Sequence, residues 1–444
     1  MNMPEKDRSI LRGLAEKQAE IASLPVNKER VVEWTRLNGL NKGRPLVWID
    51  NIPWHEMNVN GELDLQTTNE FCRAVEQQLR RTIYRWNHMQ CDMVVEPKFY
   101  SPLVIHDTGF GIKEDIDVIR QDEKSNIVSR KFHPQINDEK DLEKIKNPVV
   151  THDEEASEIN YQTLIDLFGD MLSIEKKGII HSGSWPWVFA DILGIEKKGI
   201  ILNFRFSPWH FRFSPWDELI KWWGVQEALI DLVMRPELVH QAMERLVNAY
   251  LYRLQQWRNL NLLSLTDGNY CVGSGGLGYS DELPQADFDP AHVRTIDQWG
   301  HSTAQIFSGV SPEMHEEFAL QYERRWLEQF GLTYFGCCEP LHNKIEILES
   351  IPNLRKISMS PWADVEKTVE KTDGKYVLSY KPNPAVLATG EWNLAQARKN
   401  LSEVLDKTRG CVVEVIMKDI STVRYKPQRL WEWSEMAMEL VLTK

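Results

Sequence analysis

The sequence predicts an α/β chain: a (β/α)8 TIM barrel preceded by an N-terminal helical extension. Three observations predict it. Short apolar runs alternate with amphipathic stretches along most of the chain, the pattern of βα units around a parallel sheet. About eight such runs fall in one long stretch, which favours a closed barrel over an open sheet. No GxGxxG or GxxxxGK[ST] motif opens a helix, so nucleotide-binding folds lose ground.

Residues 5–40 are charged, with spaced apolar positions, and read as helix. This assigns 1–44 to the extension and 45–444 to the barrel. Residues 45–50 are the first strand. A helix follows at 67–87, with Phe71, Val75, Leu79 and Ile83 on one face at spacings of four. Residues 92–96 read as the next strand. The polar stretch 113–160 reads as an insertion of loop and helices, broken at Asn147-Pro148.

Strands are expected at 178–181 and 199–202. Ile-Glu-Lys-Lys-Gly-Ile-Ile occurs at 174–180 and again at 195–201, and Phe-Arg-Phe-Ser-Pro-Trp at 204–209 and again at 211–216. Neither period suits a solenoid, so 174–216 reads as a duplicated insertion. The copy at 211–216 runs directly into a helix at 217–224 and is expected to hold the barrel position. A long helix at 236–260 precedes a strand at 262–267. The run from Gly273 to Gly278 opens no helix and reads as a flexible loop over the active site. An amphipathic helix is expected at 312–330. Strands at 332–338, 354–360, 376–380 and 411–417 then alternate with helices at 342–350, 364–371, 393–408 and 429–442.

The chain has 444 residues, 42% hydrophobic and 26% charged, which is ordinary for a soluble protein with a large core. Its net charge of −13 argues against nucleic acid and against an anionic membrane surface as partners. No apolar run approaches a membrane span, and the charged first residues lack a signal-peptide core, so the cytoplasm is the expected compartment. Six cysteines, two of them adjacent, do not read as a disulfide framework. The 17 tryptophans often neighbour proline or each other, so they are candidates to line an aromatic pocket or to plug barrel ends. Trp216 and Trp362 are carried forward as substrate-binding candidates.

The chemistry concentrates at Phe335-Gly336-Cys337-Cys338-Glu339-Pro340-Leu341-His342. Two thiols, a carboxylate and an imidazole follow the apolar run Leu332-Thr333-Tyr334. These side chains suit a borderline-soft ion, and a ligand-rich turn after a strand is where a barrel keeps its chemistry. Cys338, Glu339 and His342 are the expected zinc ligands, with a fourth position left open. The competing reading makes one cysteine an apolar filler, since neighbours alternate faces, and His342 a turn cap. Asp267 ends a strand and suits acid–base work, although Asp267-Gly268-Asn269 is also an ordinary turn sequence. Asn269 and Tyr279 are substrate-binding candidates. Lys418 and Asp419 end the last strand, either orienting substrate or forming a plain ion pair. His315, Glu316 and Glu317 open a helix, where negative charge is structurally favourable.

Four places carry a family resemblance. Ser308 to Phe318 forms a loop entering a helix, and Tyr334 to Glu339 carries the cysteine pair. Ile357 to Asp364 and Leu378 to Pro384 follow. In this order, over about 240–420, they resemble the uroporphyrinogen decarboxylase superfamily, which includes zinc-dependent, corrinoid-linked methyltransferases. True decarboxylases carry Arg-Gln-Ala-Gly-Arg where this chain has Ile49 to His55, so tetrapyrrole decarboxylation is not implied. The methyltransferases carry His-x-Cys where this chain has Gly336 and Cys338, so only the cysteine matches. Their later cysteine falls where this chain reads Glu414 to Asp419. The resemblance implies a methyltransferase-like enzyme with Zn²⁺ as Lewis acid. It would move a methyl group from a small methylated substrate, such as an aromatic methyl ether, to a corrinoid protein. A homodimer is also expected. Two alternatives stand beside it: a metal-free decarboxylase or lyase using Asp267 and Lys418, and a non-catalytic barrel that binds a small ligand.

Overall fold

A computed structural model of the chain describes residues 3–119, 129–181, 209–266 and 268–443. Six strands lie side by side in the order Leu46–Ile49, Val412–Met417, Val377–Tyr380, Leu354–Met359, Leu332–Phe335 and Trp299–Ser302. Every neighbouring pair is parallel. The α/β class and the parallel sheet follow the predicted alternation, but this sheet holds six strands where eight were expected. Residues 92–96 run beside the first strand without regular pairing, and the Asp92 amide donates to the Val47 carbonyl at 3.0 Å. Residues 262–266 contribute a single parallel bridge, Leu263 to Ile179. The strand expected at 199–202 lies outside the described residues. Ile179–His181 instead pairs in parallel with Trp209–Phe211. Trp299–Ser302, short and only half apolar, was not among the predicted strands.

The sheet has two unlike faces because side chains alternate along each strand. On the outer face, Val47, Ile49, Leu378, Val413, Val415 and Met417 pack against Ala397, Leu401, Leu405, Leu430 and Trp433. Those partners belong to the helices Leu394–Lys407 and Gln428–Thr443. The inner face is polar and still buried: His301, Tyr334, Lys356, Ser358, Ser379 and Glu414 all lie on it. Lys356 Nζ and Glu414 Oε2 meet there at 2.9 Å with both side chains fully buried.

The glycine-rich run fills this inner face. It is not a flexible loop over an active site. Gly273 has φ +56°, and a Cβ on it would strike Tyr334 and His301. A Cβ on Gly275 would strike Glu414 and sit 2.8 Å from Tyr334. Ser274 Oγ lies 3.1 Å from the Tyr334 hydroxyl. Glycine is required because the backbone itself occupies the space that side chains would need.

The helix expected at 5–40 is two helices, Glu5–Ala22 and Pro25–Asn38, divided where Pro25 begins the second. Leu11, Leu14 and Ala15 bury against Phe71, Val75 and Leu79 of the helix Glu70–His88. The insertion at 113–160 contains more β-structure than its polarity suggested. Ile116–Ile119 pairs with Ser129–Phe132, and Val104–Asp107 with Val150–Asp153, both antiparallel. The helix expected at 312–330 includes a π-helical turn at Glu316–Leu320. The helix expected at 342–350 shortens to Ile345–Leu348. Among the described residues no helix is long and apolar enough to cross a membrane.

Candidate active site

Because the six strands are parallel, their C-terminal ends fall on one side of the sheet. Cys337, Ser360, Lys381 and Lys418 follow four of those ends. Gly336 makes the turn that aims Cys337. Its φ is +95°, and a Cβ there would lie 2.6 Å from Leu341 Cδ1 and 3.0 Å from Ser358 Cβ. A histidine at 336 would be strained and without room.

Cys337 is buried and Lys418 nearly so, and Lys418 Nζ lies 3.3 Å from Cys337 Sγ. Cys338 Sγ lies 3.5 Å from Cys337 Sγ and 3.5 Å from Asp419 Oδ2. Lys418 Nζ is also 3.4 Å from Asp419 Oδ2. Arg212, paired with Asp217 at 2.6 Å, adds positive charge from the copy of the duplicated motif that runs into the helix Pro215–Trp223.

The electrostatics follow from this packing. The Cys338 thiol hydrogen bond lowers the Cys337 pKa; burial raises it, and Lys418 and Arg212 lower it further. The net result places Cys337 well below the usual thiol range, as a thiolate. Cys338 moves up through its bond to Cys337, its burial and its neighbour's charge, so it keeps its proton. Burial lowers the Lys418 pKa, but Cys337, Asp419, Cys338 and Asp50 outweigh it, and Lys418 stands above the usual lysine range.

Behind the sulfurs sits a buried carboxyl network. Glu339 accepts from Thr303 Oγ1 at 2.7 Å and from the Cys337 amide at 2.9 Å. Burial and the Cys337 charge raise its pKa. Glu323, on the helix Gln321–Leu327, is fully buried and is pushed up to about 8, by burial first and then by Glu339 and Asp217. On the inner face Lys381 Nζ donates to Ser358 Oγ at 2.6 Å and to the Tyr334 hydroxyl at 2.9 Å. Ser358 in turn donates to the Cys337 carbonyl at 2.5 Å.

The structure redistributes the predicted residues. Lys418, Asp419 and Cys338 lie together at this strand end. The expected zinc set does not assemble. Both Glu339 oxygens are engaged by Thr303 and Cys337, and His342 Nδ1 accepts from the Asp364 amide at 3.2 Å. His342 therefore caps a neighbouring turn. Among the described residues no group of three or more His, Cys, Asp or Glu side chains is placed to hold a metal ion. The residues present do not fit Zn²⁺ at this site.

The substrate-binding candidates also separate. Trp216 is fully buried, and its indole donates to the Phe318 carbonyl at 2.9 Å, so it is a core plug. Asn269 Nδ2 donates to the Val94 carbonyl at 2.9 Å, and the Tyr279 hydroxyl to Glu96 Oε1 at 3.1 Å. Tyr279 packs against an apolar cluster that includes Trp34, Leu46, Val94 and Val377. Trp362 is 69% exposed and follows the Leu354–Met359 strand on the same side as the sulfurs. Asp267 lies outside the described residues.

Sequence reading missed Cys337, Arg212, Glu323 and Lys381 as site residues. Cys337 had a local signal, its place directly after a strand. The other three become visible only through their partners.

The fold and site together define an α/β protein with a buried thiolate–ammonium pair at the C-terminal ends of a parallel sheet. No family model matches the chain, and no curated protein matches it. Among solved structures it is similar to a methyltransferase from Methanosarcina mazei. The identity is 11%, the match covers 93% of this chain and 98% of that one, and the TM-score is 0.46.

Proposed function

We propose that this chain is a methyltransferase-like enzyme whose reacting group is the Cys337 sulfur. The observation that carries the reading is the ammonium of Lys418 at 3.3 Å from that sulfur in a buried setting. A buried thiolate beside a fixed cation is an activated nucleophile. In the proposed step the sulfur attacks the methyl carbon of a small methylated substrate. The S–C bond forms as the bond from carbon to the leaving oxygen breaks, and the oxygen departs with that electron pair. The Cys338 thiol supplies a proton to it. Asp419 and Trp362, on the open side, orient the substrate. A corrinoid protein is the proposed final acceptor, because a reduced corrinoid is a strong nucleophile towards methyl groups.

The lyase alternative uses Asp267 and Lys418, and it would need Asp267 as its base, because the surrounding negative charge holds Lys418 as an ammonium.

The test treats the chain with methyl iodide as a general donor, removes the unreacted donor, and then adds cob(I)alamin as acceptor. The reading expects methylation of Cys337 in the tryptic peptide 326–344, followed by transfer to cobalamin, and loss of both in Cys337→Ser. Equal methylcobalamin formation by Cys337→Ser would overturn it.

A further inference from the structure

The two sulfurs carry a second chemistry. Cys337 and Cys338 are adjacent, their sulfurs lie 3.5 Å apart, and among the described residues each thiol has the other as its sulfur neighbour. They differ in access. Cys337 is 1% exposed, whereas Cys338 is half-buried and leans toward Asp419, whose side chain is 44% exposed. The Cys338 sulfur is thus the one that a small solute meets first, and the Cys337 sulfur waits beneath it beside Lys418.

We infer that Cys337 and Cys338 form a reversible redox pair, a modification site for peroxides that closes to a vicinal disulfide. The regulatory meaning rests on the methyl-transfer reading above; the dithiol chemistry does not. In the first step the more exposed Cys338 thiol passes its proton to the adjoining Cys337 sulfur and attacks one peroxide oxygen. The O–O bond breaks, water leaves, and Cys338 becomes a sulfenic acid. In the second, the Cys337 sulfur attacks the Cys338 sulfur, the S–O bond breaks, and a second water leaves. The thiolate–thiol pair loses two electrons and one proton, the neighbouring Lys418 ammonium supplies the second proton, and hydrogen peroxide is reduced to two waters.

The local geometry permits closure and favours reopening. Residues 337–339 form bends outside any helix or strand, and closure must loosen the bonds that hold the Gly336 amide to Ser302 and the Cys337 amide and carbonyl to Glu339 and Ser358. Neighbouring Cα atoms are only about 3.8 Å apart, below the usual disulfide range of about 4.4–6.8 Å. A bond closed over that span is strained and readily reduced, which is the property of a switch. Closure removes the thiolate that faces Lys418 and so removes the proposed nucleophile.

The experiment treats the full chain with hydrogen peroxide and reads peptide 326–344 by mass. The expected product is lighter by two hydrogen atoms and reverts with dithiothreitol. Alkylation of Cys337 by iodoacetamide should vanish on oxidation and return on reduction. Cys338→Ser should lose the reversible product, and its Cys337 should persist as thiol or advance to sulfinic acid. An unchanged peptide in the parent chain, direct passage to sulfinic acid, or a disulfide to any other cysteine would overturn the inference. So would the same reversible product in Cys338→Ser. These readouts need no methyl donor, so failure of the methyl-transfer reading leaves the dithiol result standing and separately legible.

Discussion

Two buried lysines on one sheet behave in opposite ways. Lys356 lies on the inner face, fully buried, with Glu414 as its counter-charge at 2.9 Å. Burial outweighs that single partner and lowers its pKa. Lys418 lies at the strand end, also buried, but Cys337, Asp419, Cys338 and Asp50 surround it and raise its pKa. The lesson concerns what each charge is for. Lys356 and Glu414 Oε2 pair beside the glycine-rich run, while Glu414 Oε1 is buried without a hydrogen-bond partner. Lys418 is held charged by a sulfur that has chemistry of its own.

The comparison breaks most visibly at the inner pair. Lys356→Met leaves Glu414 buried without its cation and should cost about 3–5 kcal/mol in urea unfolding. Lys356→Met with Glu414→Leu should recover most of that loss. A single variant as stable as the parent would show that the pair does not hold the inner face.

Glu323 sharpens the contrast through pH. Its folded pKa, pushed up to about 8, stands above that of an unfolded carboxyl, so the folded chain binds the extra proton between those values. Stability from this group is complete at acid pH and declines as pH rises toward about 8. The slope is at most about 1.4 kcal/mol per pH unit. Glu323→Gln should flatten that decline in thermal melts taken from pH 5 to pH 8. Parallel curves for parent and variant would refute it.

Lys418→Met should change reactivity more than stability. Iodoacetamide alkylation of Cys337 near neutral pH should slow roughly tenfold or more, one pKa unit being a factor of ten in thiolate. The midpoint of its pH profile should move upward. If the rate holds, Lys418 is not what keeps the sulfur ionised.

His342→Ala should have the smallest effect, about 1 kcal/mol or less, because it removes one hydrogen bond at a partly exposed turn. Bound metal, read by elemental analysis against the parent, should not change. Loss of a zinc ion in this variant would restore His342 as a ligand.

How legible the site was depended on the range of the signal. Cys338, Lys418 and Asp419 each follow a strand whose apolar run is local, so their place at one strand end was legible. The zinc set failed because closeness in sequence is not convergence in space. After the turn at Gly336, Glu339 folds back onto the Cys337 amide, while His342 reaches the Asp364 amide. The glycine-rich run misled for a related reason. Glycines open a loop to motion or let backbone pack where side chains cannot, and composition does not distinguish the two. The Trp299–Ser302 strand escaped because its pairing comes from neighbours, not from its own four residues.

The sequence by itself determined the α/β class, the alternation of strands and helices from residue 332 onward and the parallel direction of the last four sheet strands. These depend on periodicities within a dozen residues, which short-range burial enforces. The tertiary structure alone decided that Arg212, Cys337 and Lys418 would share one charged centre, and that Lys356 would meet Glu414. Strand register and burial set those pairings across long stretches of chain, and charges attract strongly enough to matter only once water has been removed from between them.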